Sequence, residues 1–69
     1  MSQHVYKHIE ITGSSEIGSD DAIRHAIETA SKTIKHMNWF EVLETRGHIV
    51  DGGVKHWQVT LKIGFRLDD

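Results

Sequence analysis

Val54-Lys55-His56-Trp57-Gln58-Val59-Thr60-Leu61-Lys62-Ile63-Gly64-Phe65-Arg66-Leu67 alternates with a period of two from His56 to its end. Trp57, Val59, Leu61, Ile63, Phe65 and Leu67 form one apolar face, and His56, Gln58, Thr60, Lys62, Gly64 and Arg66 form the other. Successive side chains of a strand point to opposite sides of the sheet, so this stretch reads as a long strand with one buried face. Asp51-Gly52-Gly53 immediately before it is a hairpin turn signal. Trp39 to Val50, rich in β-branched and aromatic residues, supplies the preceding strand.

Working outward to the N-terminus, Val5, Ile9 and Ile11 share one parity, and Tyr6, His8, Glu10 and Thr12 share the other, which is a half-buried strand. Lys7 interrupts its apolar face and suits an edge. Gly13-Ser14-Ser15 ends this strand, and Gly18-Ser19 leads into a helix with Ser19 as N-cap. Asp20 and Asp21 favour the positive end of the helix dipole. Ile23, Ala26, Ile27, Ala30, Ile34 and Met37 follow helical spacing. This predicts a helix of about 27 Å with Lys32, Lys35 and His36 near its end and Asn38 stopping it. Ala22, Ala26 and Ala30 let it lie close on a sheet. The fold class is α+β: a single β-α-β-β domain over residues 1–69, with a three-stranded antiparallel sheet packed on one helix.

Turn length sets which residues of the hairpin share a face. A two-residue loop at Gly52-Gly53 and a four-residue loop pairing Val50 with Lys55 give the same parity; a three-residue loop splits the apolar set across both faces. Phe40 and Val42 then lie with Ile63 and Phe65 under the helix. Trp39 lies on the opposite face with Gln58, Thr60, Lys62 and Arg66. Leu43 and Ile49 fall there too, Arg46 falls on the helix side, and His48 and His56 fall on opposite faces. A helix of this length cannot cover strands of about 40 Å. The uncovered apolar surface and open sheet edges call for a partner, for which another copy of the chain is the expectation.

Composition points the same way. A domain of 69 residues without cysteine has no disulfide or thiolate metal site to stabilise it, which leaves packing and self-association. Eight basic against ten acidic residues give a net charge of −2 and no basic footprint for nucleic acid. No apolar run reaches the ~20 residues of a membrane span. Met1-Ser2-Gln3-His4 carries no basic leader or apolar h-region, so a cytoplasmic location is expected. The six histidines show no chelating spacing, and no serine or carboxylate is set as a nucleophile or base, so neither a metal site nor catalysis is expected.

Trp39 and Gln58 remain. An indole offers a flat face for ring stacking, though it serves equally as an oligomer-interface aromatic. A carboxamide presents one acceptor and two donors in a plane. That matches the edge of a heterocycle such as the pyrimidine end of isoalloxazine. Arg46 and Arg66 can contact phosphate, carboxylate or a π face.

Trp39-Phe40-Glu41-Val42, Glu44-Thr45-Arg46-Gly47 and Gln58-Val59-Thr60-Leu61-Lys62-Ile63-Gly64-Phe65-Arg66-Leu67, with Val5-Tyr6-Lys7 and Ala30-Ser31-Lys32-Thr33, resemble the bacterial dodecins. The likeness runs from about His4 to Leu67. It implies a hollow homo-oligomer, a dodecamer, that binds flavin as antiparallel pairs at subunit contacts and stores or buffers it without turnover. FMN is the implied ligand, with riboflavin or FAD as alternatives. On this resemblance Trp39 stacks on the isoalloxazine, Gln58 bonds its polar edge, and Arg46 and Arg66 contact the flavin or its tail. Coenzyme A is a second implied ligand, at Tyr6 and Lys32. Trp57 departs from the usual tyrosine or phenylalanine, and His4, His8 and His36 stand where lysine or arginine is common. The competing readings are a structural oligomer without ligand and a flavin-dependent reductase; the second is disfavoured by the lack of acid–base groups on the Trp39 face.

Overall fold

The computed structural model describes residues 3–67; Met1 and Ser2, part of the segment read as lacking a leader, lie outside the described residues. The chain runs β1 (Tyr6–Ser15), α1 (Ser19–Ala30), β2 (Met37–Val50) and β3 (Gly53–Arg66). The three strands form one antiparallel sheet in the order β1-β3-β2. The strictly alternating strand is therefore the central one, and Lys7 does lie on an edge strand. Val59, Leu61 and Ile63 on its odd face are fully buried with Ala22 and Ala26 of α1. Ile9, Ile11, Ile23, Ile27, Ala30 and Met37 pack around them.

β1 continues to Ser15, three residues beyond Thr12, and Gly13 sits inside it. Gly13 is a seat for the helix: a Cβ there would lie 2.5 Å from the Ala22 carbonyl oxygen and 2.7 Å from the Ala26 methyl. Small residues on both elements thus let α1 press against the sheet, as the alanine spacing predicts. The helix start differs from expectation. Gly18, not Ser19, is the N-cap, and it contributes no side-chain cap. The capping work falls to Ser15, whose buried hydroxyl donates to Asp21 Oδ2 at 2.8 Å and accepts from the amides of Ile17 at 2.9 Å and Gly18 at 3.3 Å. One side chain thus ties the end of β1 to the first turn of α1. Ser15→Ala is expected to lower the unfolding free energy by roughly 1–2 kcal/mol, the scale of a lost cap. A urea midpoint equal to wild type would show that the hydroxyl contributes nothing.

The helix ends earlier than predicted. It has 12 residues, about 18 Å at ~1.5 Å each. Ser31 Oγ donates to the Glu28 carbonyl at 2.7 Å, a bond that competes with helix continuation. The Ala30 carbonyl accepts from both Thr33 N at 3.1 Å and Ile34 N at 2.9 Å, which tightens the chain into turns. His36, at φ 65°, then redirects it into β2. Ile34, Lys32 and Lys35 therefore follow the helix, and Asn38 lies inside β2 instead of stopping α1. Thr33 and Ile34, both β-branched, are weak helix formers, and of the apolar positions past Ala30 in the predicted helix Met37 alone packs against the core, from β2.

The hairpin loop is Asp51-Gly52, pairing Val50 with Gly53, one residue earlier than the two-residue loop read from the sequence. Both loop residues have positive φ, 53° and 78°, as a type I′ turn requires. Three irregularities interrupt the ladder, one of which leaves Asn38 extra at the start of β2, beyond Trp39. In the other two, Ile49 pairs Val54 but His48 pairs His56, which leaves Lys55 extra on β3; Glu44 pairs Thr60 but Val42 pairs Leu61, which leaves Leu43 extra on β2. Each flips the face of what lies beyond it, and the second undoes the first. Trp39, Phe40 and Val42 recover the predicted faces, while residues 44–50 are turned over, which takes Ile49 off the Trp39 face where the sequence put it.

α1 packs on β1 and β3. In β2 every residue except Met37 is exposed, including Phe40, Val42, Leu43, Ile49 and Val50. The molecule is a blade of 57 × 20 × 13 Å with a radius of gyration of 14.5 Å, against about 11 Å for a rounded domain of this length. Its accessible surface of 5185 Å² exceeds the roughly 4,400 Å² usual for this mass. No helix among the described residues is long and apolar enough to cross a membrane.

Candidate functional site

The sheet face away from α1 carries the even positions of β1 and β3, brought into rows by the register. Tyr6 stands opposite Arg66, His8 opposite Gly64, Glu10 opposite Lys62, Thr12 opposite Thr60 and Ser14 opposite Gln58. β2 adds Trp39 beside Gly64, Glu41 beside Lys62, Glu44 beside Thr60 and Arg46 beside Gln58. The Lys62 ammonium lies 3.9 Å from Glu41, and the Thr12 and Thr60 hydroxyls share a 3.1 Å hydrogen bond.

At one end of this face Trp39 lies across Gly64. A Cβ at position 64 would overlap Cζ2, Cε2 and Cη2 of the indole, so the six-membered ring rests directly over the strand where no side chain stands. A glycine inside a strand marks such a close approach. Tyr6 and His8 meet the indole edge-on, with centroids at 5.1 and 5.6 Å and interplanar angles of 62° and 80°. The ring is thus held from beneath and from the side, and it remains 40% exposed, which leaves a planar apolar surface open to a second ring. Arg66, opposite Tyr6, has a side chain free of hydrogen bonds and ion pairs among the described residues.

At the other end Arg46 and Gln58 stand side by side. Arg46 Nε donates to Gln58 Oε1 at 2.9 Å and Arg46 Nη1 donates to Glu44 Oε1 at 3.1 Å. This corrects the sequence reading, which put Arg46 on the helix side: the extra residue Lys55 turns it over. The same shift pairs His48 with His56, with ring centroids 6.2 Å apart, where parity alone had separated them. His56 Nε2 lies 3.9 Å from Glu16, yet among the described residues no three donors are grouped to hold a metal ion.

Trp39 and Gln58 share a face as expected, but they do not converge. Trp39 sits at Gly64 and Gln58 is six residues away along β3, about 20 Å at ~3.3 Å per residue. A single ring cannot stack on one and bond the other within one chain. Lys32 lies in the turns after α1 and its side chain has no polar contact with Tyr6 or with any other described residue. Sequence reasoning missed Gly64 and Glu44. Gly64 was legible as the one position without a side chain on a polar face; the adjacent apolar pair Val42-Leu43 was the trace of the bulge that aims Glu44.

The architecture is that of a small oligomer-forming β-α-β-β protein with an exposed aromatic plate. A model of the dodecin family matches residues 5–68. The chain is 51% identical over 65 residues to the dodecin of Thermus thermophilus, covering 94% of each chain. It superposes on the solved dodecin from Streptomyces davaonensis with a TM-score of 0.94 at 51% identity, covering 99% of this chain and 100% of that one. A solved variant of the Thermus thermophilus dodecin in which a tryptophan is replaced by phenylalanine matches with a TM-score of 0.92 at 48% identity, covering 97% of this chain and 100% of that one. The chain belongs to the dodecin family, whose members bind flavin-type ligands.

Proposed function

We propose that the protein is a flavin store that holds FMN, or riboflavin, as stacked pairs between Trp39 residues at contacts in a homododecamer, without turning it over. The observation that carries this reading is the indole laid over Gly64 with its outer face exposed. A ring stacked there gains the aromatic contact and loses little protein entropy, because Tyr6 and His8 already fix the indole. The 20 Å gap to Gln58 supports a composite site, in which Trp39 of one copy faces Arg46 and Gln58 of another. The exposure of β2 supports the same assembly, since its apolar residues need cover that α1 does not give. Arg66, at the Trp39 end and with no side-chain partner among the described residues, suits a phosphate and favours FMN. Trp39 is an electron donor to a photoexcited ring stacked on it, so bound flavin is dark in fluorescence.

Titration of FMN and of riboflavin with the purified protein, followed by flavin emission beside a sizing column, tests this. The expected result is saturable quenching by a large particle, with FMN bound more tightly than riboflavin. Undiminished emission at excess protein leaves a structural oligomer as the correct description.

A further inference from the structure

Arg46 has only donors, so the group facing its Nε at 2.9 Å must be the oxygen of Gln58 and not its nitrogen. The orientation of this carboxamide is thereby fixed: oxygen toward Arg46, NH2 away from it. Arg46 in turn is anchored by Glu44 at 3.1 Å. Thr45, between the two on β2, projects to the other side, so Glu44 and Arg46 are successive residues of one face. The Glu44–Arg46 pair is 56% exposed on each side, and an exposed ion pair of this kind contributes little to stability. Its consequence is orientation. We propose, building on the flavin-binding reading above, that Glu44 is a positioning residue of the ligand site: through Arg46 it holds the Gln58 NH2 outward as a donor for a carbonyl on the polar edge of the bound ring. Without Glu44 the guanidinium is free to swing, and the amide spends its time in both flips.

A double-mutant cycle with riboflavin decides the matter. Riboflavin lacks a phosphate, so the charge change at position 44 does not act on the ligand directly. Glu44→Ala is expected to weaken binding about fivefold and Gln58→Ala about tenfold or more. The double variant is expected to bind no more weakly than Gln58→Ala alone, because Glu44 acts only through that amide. Glu44→Gln keeps an acceptor for Arg46 and is expected to restore part of the loss. Sizing of each variant confirms that the assembly is intact. Wild-type binding by Glu44→Ala, or losses that multiply in the double variant, overturns the positioning role and leaves the flavin reading standing. Failure of the wild-type protein itself to bind riboflavin or FMN overturns both.

Discussion

Trp39→Ala is expected to weaken flavin binding by roughly 1–3 kcal/mol, the scale measured for aromatic stacking on a planar base. That is about a 5- to 150-fold rise in Kd at ~1.4 kcal/mol per decade. Residual flavin should regain emission, because the electron donor is gone. Gly64→Ala tests the same plate with the indole still present. The new methyl would occupy the space of Cζ2, Cε2 and Cη2, so the ring has to lift off the strand and lose its contacts with Tyr6 and His8. Binding by Gly64→Ala should therefore fall toward that of Trp39→Ala. Fluorescence titration of both variants checks this. If either binds and quenches as wild type does, the plate lies elsewhere.

Gly13→Ala carries the largest expected effect on folding. Two of the nearest atoms to the added methyl belong to the Ala22 carbonyl of the helix backbone, the closer at 2.5 Å, and the third is the short side chain of Ala26 at 2.7 Å. None can move aside by a change of rotamer. The helix must shift away from β1 and loosen the cluster around Ala22, Ala26, Val59 and Leu61. Overpacking of this kind costs roughly 1–3 kcal/mol, against a total of about 3–10 kcal/mol for a chain of 69 residues. The expected outcome is a clearly lowered thermal midpoint at equal protein concentration, which must be held fixed because assembly contributes to stability. A midpoint within a degree of wild type would mean that α1 does not rest on Gly13.

Much of this architecture is legible in the sequence because the core is built from two clean periods. The odd residues of β3 and the alanines of α1 announce which sides meet, and Asp51-Gly52-Gly53 announces where the chain reverses. The helix end was not legible, since Ile34 and Met37 keep helical spacing although Ile34 lies past the turns and Met37 meets the core from a strand. Of the candidate site, Trp39 was placed on the correct face and Arg46 was not, and a single cause explains both. Lys55 and Leu43 each add one residue to one strand only. A period-two argument run from the turn is wrong between them and right again past Leu43. The traces are slight: the adjacent apolar pair Val42-Leu43 in β2, where Glu41 to His48 has no sustained alternation to break, and the adjacent polar pair Lys55-His56 in β3.

The two bulges behave as compensating frame shifts, and this constrains how the hairpin can change length. Lys55 and Leu43 have no partner across the hairpin, so deleting either one closes its bulge and leaves Arg46 opposite Gln58 and Trp39 opposite Gly64. Deleting a paired residue such as Glu41 instead slides Trp39 from Gly64 to Ile63 and turns the indole toward the helix side. The arm can therefore lose a codon at either bulge and not at a paired neighbour, although both kinds of position are exposed.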